Sequence, residues 1–250
     1  MKPKETIHSP ALAQLETQSR RLLSSLLSES RADASLPGPL RQDEILFAIT
    51  GERGSGKTTL LRHVAKSASS HGGLLWIPIV RPDNLASSQS LLVTVVSAFA
   101  TLASRFLTSD DATTAELPAL AERTFRSALF SQSGSVDELF ENSGSLGQFT
   151  ADAANLLRRG EGLEQELQRF VAALLNASNA KAIVVPIDDL DLIPSELGRV
   201  LADARMLGAQ RGILPIACLS RSDLRAKLRA EVSASLPGMV GIELERLVDQ

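Results

Sequence analysis

The chain has 250 residues, of which 44% are hydrophobic and 22% charged, with a net charge of -3 and a pI of about 5.7. That much apolar side chain excludes disorder throughout, and the acidic balance leaves no overall electrostatic footprint for wrapping nucleic acid. The longest nearly apolar run, Leu91 to Ala103, is too short to cross ~30 Å of hydrocarbon. No charged leader followed by an apolar core opens the chain, and the single cysteine, Cys218, excludes an internal disulfide and a cysteine-cluster zinc site. Together these features point to the cytoplasm, with no membrane partner.

Residues 9–31 have the pattern of an amphipathic helix, with Ser9 as cap and Pro10 at the first helical position. Leu12, Leu15, Leu22 and Leu26 recur at helical spacing, and Leu23 and Leu27 widen the stripe. Ala32 to Gln42, containing Leu36-Pro37-Gly38-Pro39, reads as a linker that closes an N-terminal unit, residues 1–42. Ile45 to Thr50 then has the length and branching of a buried parallel strand. A glycine-rich turn from Gly51 leads into a helix from Thr58 to Ser69, and Gly72-Gly73 ends it. Leu74 to Val80 is predicted as a second strand, Arg81-Pro82-Asp83-Asn84 as a turn, and Leu85 to Leu107 as a long apolar helix. The alternation of strand and helix implies a parallel sheet with crossover helices.

Residues 108–169 differ in character, with eleven acidic and five basic side chains and Ser/Gly breaks at Ser131–Ser135 and Asn142–Gly147. Thr124 to Phe130 and Phe149 to Leu157 read as short helices. The segment of about 108–165 is thus expected to be a helical insertion on the edge of the core, either a surface elaboration or a surface for a protein partner. Glu164 to Ala177 resumes an amphipathic helix, and Ala182 to Ile187 is a third strand in which Pro186 must sit where pairing is finishing. Ser195 to Leu207 is a helix, with Ser195 as cap and Gly208 just past its end. Ile213 to Leu219 is a fourth strand, Leu224 to Val232 a short helix, and Met239 to Leu244 a weak fifth strand.

Gly51-Glu52-Arg53-Gly54-Ser55-Gly56-Lys57-Thr58 fits G-x-x-x-x-G-K-[ST], and it lies between a predicted strand and a predicted helix, as a phosphate loop requires. Its glycines allow the backbone to turn tightly and bring N–H groups to phosphate oxygens. The helix beginning near Lys57 directs its unpaired N–H groups at the anion. Lys57 places a positive charge between β- and γ-phosphates, the Thr58 hydroxyl can ligate Mg²⁺, and Thr59 is expected near the α-phosphate. The strand ending in Asp188-Asp189 supplies the acids that such a loop needs. Asp188 is the candidate for orienting Mg²⁺ through its water shell, and Asp189 for polarising the attacking water. Asp191 is either a third carboxylate of the site or a turn and capping residue. The fourth strand ends in Ser220-Arg221-Ser222-Asp223; Arg221 either reaches the γ-phosphate or pairs with Asp223 on the surface.

The loop GERGSGKTT, the acidic run VVPIDDLD and the strand IACLSRSD resemble the P-loop ATPases of the additional-strand class, and most closely the AAA-like, STAND and KAP groups. The resemblance covers roughly residues 43–107 and 165–247. It implies a three-layer α/β/α fold with sheet order 5-1-4-3-2, ATP and Mg²⁺ as cofactors, and a core spanning residues 43–250. It also implies Lys57 and Thr58 as phosphate and metal contacts, Asp188 as the metal-site acid, Asp189 as the catalytic acid and Arg221 as a sensor. Many relatives carry Glu at the catalytic acid; the shorter Asp189 points to slow hydrolysis. The lid that usually follows the core is not apparent in the last residues, which favours a chain cut from a longer one.

The first expected function is an ATP-dependent switch in signalling or defence that forms a homo-oligomer through its core, with Arg225 and Arg229 as weak candidates for an arginine acting in trans. The alternatives are an AAA-type loader or remodeller of nucleic acid or protein, and a nucleotide-binding scaffold that does not hydrolyse. No N-K-x-D guanine motif is present, which favours ATP over GTP.

Overall fold

The structure, a computed structural model, describes residues 10–35, 45–68, 73–82, 90–107, 112–132, 146–193, 196–220 and 222. Its elements in chain order are α1 (Pro10–Ser35), β1 (Phe47–Thr50), α2 (Lys57–Ala68), β2 (Leu74–Trp76) and α3 (Leu91–Ala103). These are followed by the single-turn α4 (Ala112–Ala115), α5 (Leu117–Gln132), α6 (Leu146–Ser178), β3 (Ala182–Ile187), α7 (Leu197–Ala209) and β4 (Ile213–Leu219). The four strands form one parallel sheet in the order β1-β4-β3-β2. This is the predicted order without its fifth strand, since residues 239–244 lie outside the described residues. The predicted helix at 224–232 and the predicted cap Ser9 lie outside them too.

Side-chain alternation along the strands builds the three layers. Ala182, Val184, Leu214, Ile216 and Cys218 face α1 and α2, where they meet Leu23, Leu26, Leu61 and Val64. Ile183, Val185, Ile187, Ile213, Ala217 and Leu219 face the opposite layer, built from α3, α5, α6 and α7. Every residue of β3 and β4 is buried, as expected of strands covered on both faces. Among the described residues, no helix is long and apolar enough to cross a membrane.

Both central strands contain a proline. In a parallel ladder, successive residues turn their polar groups to alternate neighbours. The carbonyl of Pro186 accepts from Val80 N–H at 2.9 Å, so the position where its own N–H would be faces the β2 side. There β2 has ended at Trp76 and only an isolated bridge, Val80 to Ile187, remains. Pro215 faces β1, which starts to pair only at the next residue, Ile216. The missing donors thus fall where no ladder bond is required.

Several element ends differ from expectation. The first helix continues to Ser35, a turn into the predicted linker; Leu36, preceding Pro37, lies outside the described residues. β2 is only three residues long rather than running to Val80: Ile77 N–H still donates to Val184 O at 3.3 Å, but the next bond to β3 comes from Val80 and not from Ile79, so the regular register is lost across Pro78. β1 begins at Phe47, since Ile45 N–H is bonded to Gly208 O at 3.3 Å instead of to a strand. Gly208 was expected to stop a helix, yet it lies inside α7. A Cβ there would lie 2.0 Å from Ile45 O, so the glycine serves a close backbone approach between α7 and the entry to β1.

The middle of the chain is not peripheral. Leu117, Leu120 and Ala128 of α5 are buried in the main core, and α5 packs on both α3 and α6. The buried Thr124 hydroxyl donates to Leu120 O at 2.8 Å, in a bond shared with Glu166 O of α6 at 3.2 Å. α6 runs unbroken from Leu146 to Ser178, joining two segments expected to be separate. Its Phe170 meets Phe99 of α3 edge-on, with ring centroids 6.5 Å apart.

The first turn of α3 is capped from another helix. Ser90 makes no side-chain cap; Asp203 on α7 instead faces the N–H groups of Leu91 and Leu92, while its Oδ2 is buried without a hydrogen-bond partner. Burial pushes the Asp203 carboxyl above its ordinary range, against the opposing pull of Arg199 and of those two N–H groups.

Two predictions follow from this packing. Gly208→Ala is expected to lower stability by about 1–3 kcal/mol, measured as a shift in urea midpoint. Asp203→Ala is expected to cost about 1 kcal/mol through loss of the cap. Because the folded-state pKa of Asp203 is raised, its contribution is full below the ordinary aspartate range and declines as pH rises through the folded value. Urea melts of wild type against Asp203→Asn should show the wild type losing relative stability over that acidic window, and a difference independent of pH would refute the assignment.

Candidate functional site

The carboxyl ends of β1, β3 and β4 converge at one edge of the sheet, where open α/β folds place their ligands. Gly51, the first residue after β1, donates its N–H to Leu219 O at 3.3 Å, which ties the start of the loop to the end of β4. Ser55 N–H donates to Glu52 O at 3.1 Å and closes a turn. Gly54 and Gly56 have φ of +81° and +89°, a backbone region that side chains strongly disfavour. The chain then enters α2 at Lys57, so the loop delivers its backbone to a helix N-terminus of twelve residues.

Lys57 turns back over the loop, with Nζ donating to Gly51 O at 2.8 Å and to Glu52 O at 3.3 Å. Arg53, Gly54, Gly56, Lys57, Thr58 and Thr59 line an open cavity of about 260 Å³, and Asp189 and Leu192 close its other side. The structure thus brings Asp189 to the loop from a position 132 residues later in the chain. Asp189 has φ of +57°, which directs the chain from β3 into a single turn of tight helix at Leu190–Leu192. A left-handed aspartate is tolerated better than most side chains, and such backbone strain clusters at functional sites.

Asp188 takes a different position. It follows the even-numbered face of β3, the face toward α2, and is fully buried. Its N–H donates to Val80 O at 2.9 Å, yet neither carboxylate oxygen meets hydrogen-bond geometry with any group. Next to it on β4 lies Cys218, whose thiol is pushed up in pKa first by burial and then by the charge of Asp188 and a loose contact with it. Lys57 opposes that shift and Asp189 adds to it, so Asp188, Asp189, Lys57 and Cys218 form one electrostatic cluster.

Arg221, Asp223, Arg225 and Arg229 lie outside the described residues, as does Ser195; the side chain of Asp191 is likewise outside them. Ser220 is buried at the end of β4, its hydroxyl 2.5 Å from that of Ser222. Three residues near the site carried no functional reading in the sequence. In the sequence Arg81 reads as turn chemistry, but its Nε lies 3.6 Å from Asp189 Oδ2. The signal was its place as the first charge after the second apolar run. Leu192 is 42% exposed at the cavity mouth. Cys218 is legible only through strand register, because it lies beside Asp188 across the sheet and thirty residues away in the chain.

A Mg²⁺ ion tests well against this donor set. Among the described residues there is no cluster of three or more His, Cys, Asp or Glu side chains that would form an all-protein cage. Magnesium in nucleotide sites is instead held by one or two carboxylates, water and phosphate. A buried carboxylate with two unpartnered oxygens, in one electrostatic cluster with Lys57 of the loop, suits that arrangement.

The family model described as the AAA ATPase domain matches residues 38–214, which span the loop, the acidic run and three complete strands. No curated protein matches the chain. On this match over most of its length, the chain belongs to the AAA ATPase domain family of nucleotide-binding P-loop ATPases.

Proposed function

We propose that the chain binds ATP with Mg²⁺ at the loop of residues 51–59 and hydrolyses it slowly, as a nucleotide-dependent switch that assembles when ATP is bound. The observation that carries this reading is the fully buried Asp188 with both oxygens unpartnered. An uncompensated buried carboxylate costs several kcal/mol, so the fold retains it at the loop only where a ligand completes it. The DDLD run favours a STAND- or KAP-like member of the family, and the acidic composition disfavours a role on nucleic acid.

In this reading the backbone N–H groups of the loop and of the first turn of α2 receive the phosphates. Lys57 leaves its carbonyl partners Gly51 and Glu52 for the β- and γ-phosphate oxygens. The Thr58 hydroxyl and Asp188 are the groups that would hold a Mg²⁺ ion, which would offset the charge of the phosphates. Asp189, on the opposite wall, accepts the proton of the attacking water. Arg81 pairs with the same carboxylate and holds it short of that task. The short aspartate and this pairing both favour a low turnover. Arg221 is proposed as the sensor of the γ-phosphate. The α5–α6 region is proposed as a surface for a protein partner.

Lys57→Ala is expected to abolish binding of a fluorescent ATP analogue. Asp189→Asn should keep binding and lower phosphate release by about 10²-fold or more. The Arg81–Asp189 pair is partly exposed and is worth about 0–1 kcal/mol, so Arg81→Ala should raise basal hydrolysis by at most roughly five-fold. Light scattering should show a larger assembly with ATP, most clearly for Asp189→Asn, than without nucleotide. Equal masses in both states would overturn the switch, and phosphate release unchanged by Asp189→Asn would overturn its catalytic role.

A further inference from the structure

Away from the phosphate loop, α1 lies along α2 and leaves a groove of about 790 Å³ between them, which shares no lining residue with the cavity at Lys57. Small-molecule sites typically have volumes of about 300–1,000 Å³. Arg20, Ser24, Ser28 and Arg31 recur at helical spacing along one wall, and His63 and Ser67, one turn apart on α2, belong to the other. Leu23 and Leu27 are the apolar part of the lining.

The hydroxyls of this groove are unspent. Thr17, Ser25 and Ser30 of α1 donate back to carbonyls of their own helix, at 2.9, 3.1 and 3.0 Å, as hydroxyls within helices often do. Ser19, Ser24 and Ser28, which line the groove, make no hydrogen bond among the described residues. Ser19 is only 2% exposed, so its unpartnered hydroxyl has little access to water other than through the groove. The charges are similarly unbalanced. Arg31 and His63 have no carboxylate partner among the described residues, and Arg20 has Glu16 at 3.8 Å in an exposed pair. Three basic side chains thus share the groove with one acid, in a chain whose net charge is -3.

Guanidinium and hydroxyl donors match phosphate oxygens, which accept several short, charge-assisted bonds at once. Arg20 and Arg31 are eleven residues apart, about 16 Å along the helix axis, so they serve opposite ends of the groove. Glu16 lies one turn beyond Arg20 and would repel a phosphate backbone that continued past it, which disfavours a nucleic-acid strand. We propose that the groove between α1 and α2 is a second ligand site, for an elongated small molecule with a phosphate at each end. Arg20 and Arg31 anchor the ends, the hydroxyls of Ser19, Ser24 and Ser28 bond its polar atoms, and Leu23 and Leu27 receive its carbon chain. The site is independent of the nucleotide reading of residues 51–59.

The probe is the bisphosphate of a straight ten-carbon diol, titrated against the whole chain and followed by broadening of its phosphorus NMR lines. Saturable binding is expected, about ten-fold tighter than that of the monophosphate of the same diol. Arg31→Gln should raise the Kd about ten-fold and Ser19→Ala about three-fold, while Lys57→Ala leaves it unchanged. Arg20, Arg31 and Lys57 can be replaced with the fold intact if circular dichroism melts match wild type, and the comparison of bisphosphate with monophosphate needs no variant. Absence of saturable binding, equal affinity for the two probes, or a folded Arg31→Gln that binds as wild type overturns the proposal. A Kd that responds to Lys57→Ala and not to Arg31→Gln places the probe at the phosphate loop and also overturns it. So does displacement of the probe by a single-stranded oligonucleotide with a steep loss of affinity in salt, which would make the groove part of a nucleic-acid surface.

Discussion

A carboxylate kept wholly out of water at the end of β3 is the constraint on which the site depends. Asp188 is held there by its backbone bond to Val80 and by the register of β3 on β4. Since side chains alternate, a slip of one residue in that register would turn Asp188 toward the helical layer on the other face. Asp189 would then take its place under the loop. Two adjacent acids have two different environments because they sit on opposite sides of this alternation, one dry and one 34% exposed beside Arg81. The proposed division of labour between metal and water follows from that difference rather than from residue type.

The register in turn depends on what the central strands are permitted to do. Pro186 and Pro215 would each break a continuous ladder, yet each turns its missing donor to a side where the neighbouring strand is absent at that level. β2 ends early at Trp76, and β1 starts late at Phe47. Both truncations occur beside a proline, and the gap beside Pro186 lies next to the site. The isolated bridge at Val80 is the last pairing with β3 before Arg81, whose Nε lies 3.6 Å from Asp189 Oδ2.

Support for this edge comes from both layers. On one side, α1 covers α2 through Leu23 and Leu26, so the helix that begins at the phosphate loop is packed along its length. On the other, α5 fills the space between α3 and α6, and Asp203 joins α7 to the start of α3. The acidic middle of the chain thus contributes to the core that carries the sheet, and a partner surface proposed there would share a helix layer with the strands of the site.

The sequence alone determined the features whose physics is local. A glycine-rich turn followed by Lys57 and Thr58 specifies a phosphate loop, since backbone conformation and helix polarity are set within eight residues. The apolar runs at 182–187 and 213–219 specified buried parallel strands to the residue. Tertiary structure decided whatever depended on a distant neighbour. The role of Gly208 depends on Ile45, the burial of α5 on α3 and α6, and the place of Arg81 on Asp189. That Asp188 lies beside Cys218 depends on one strand register. Contacts of that kind leave no trace in composition or period, because the partner is brought near only by the folding of the chain between them.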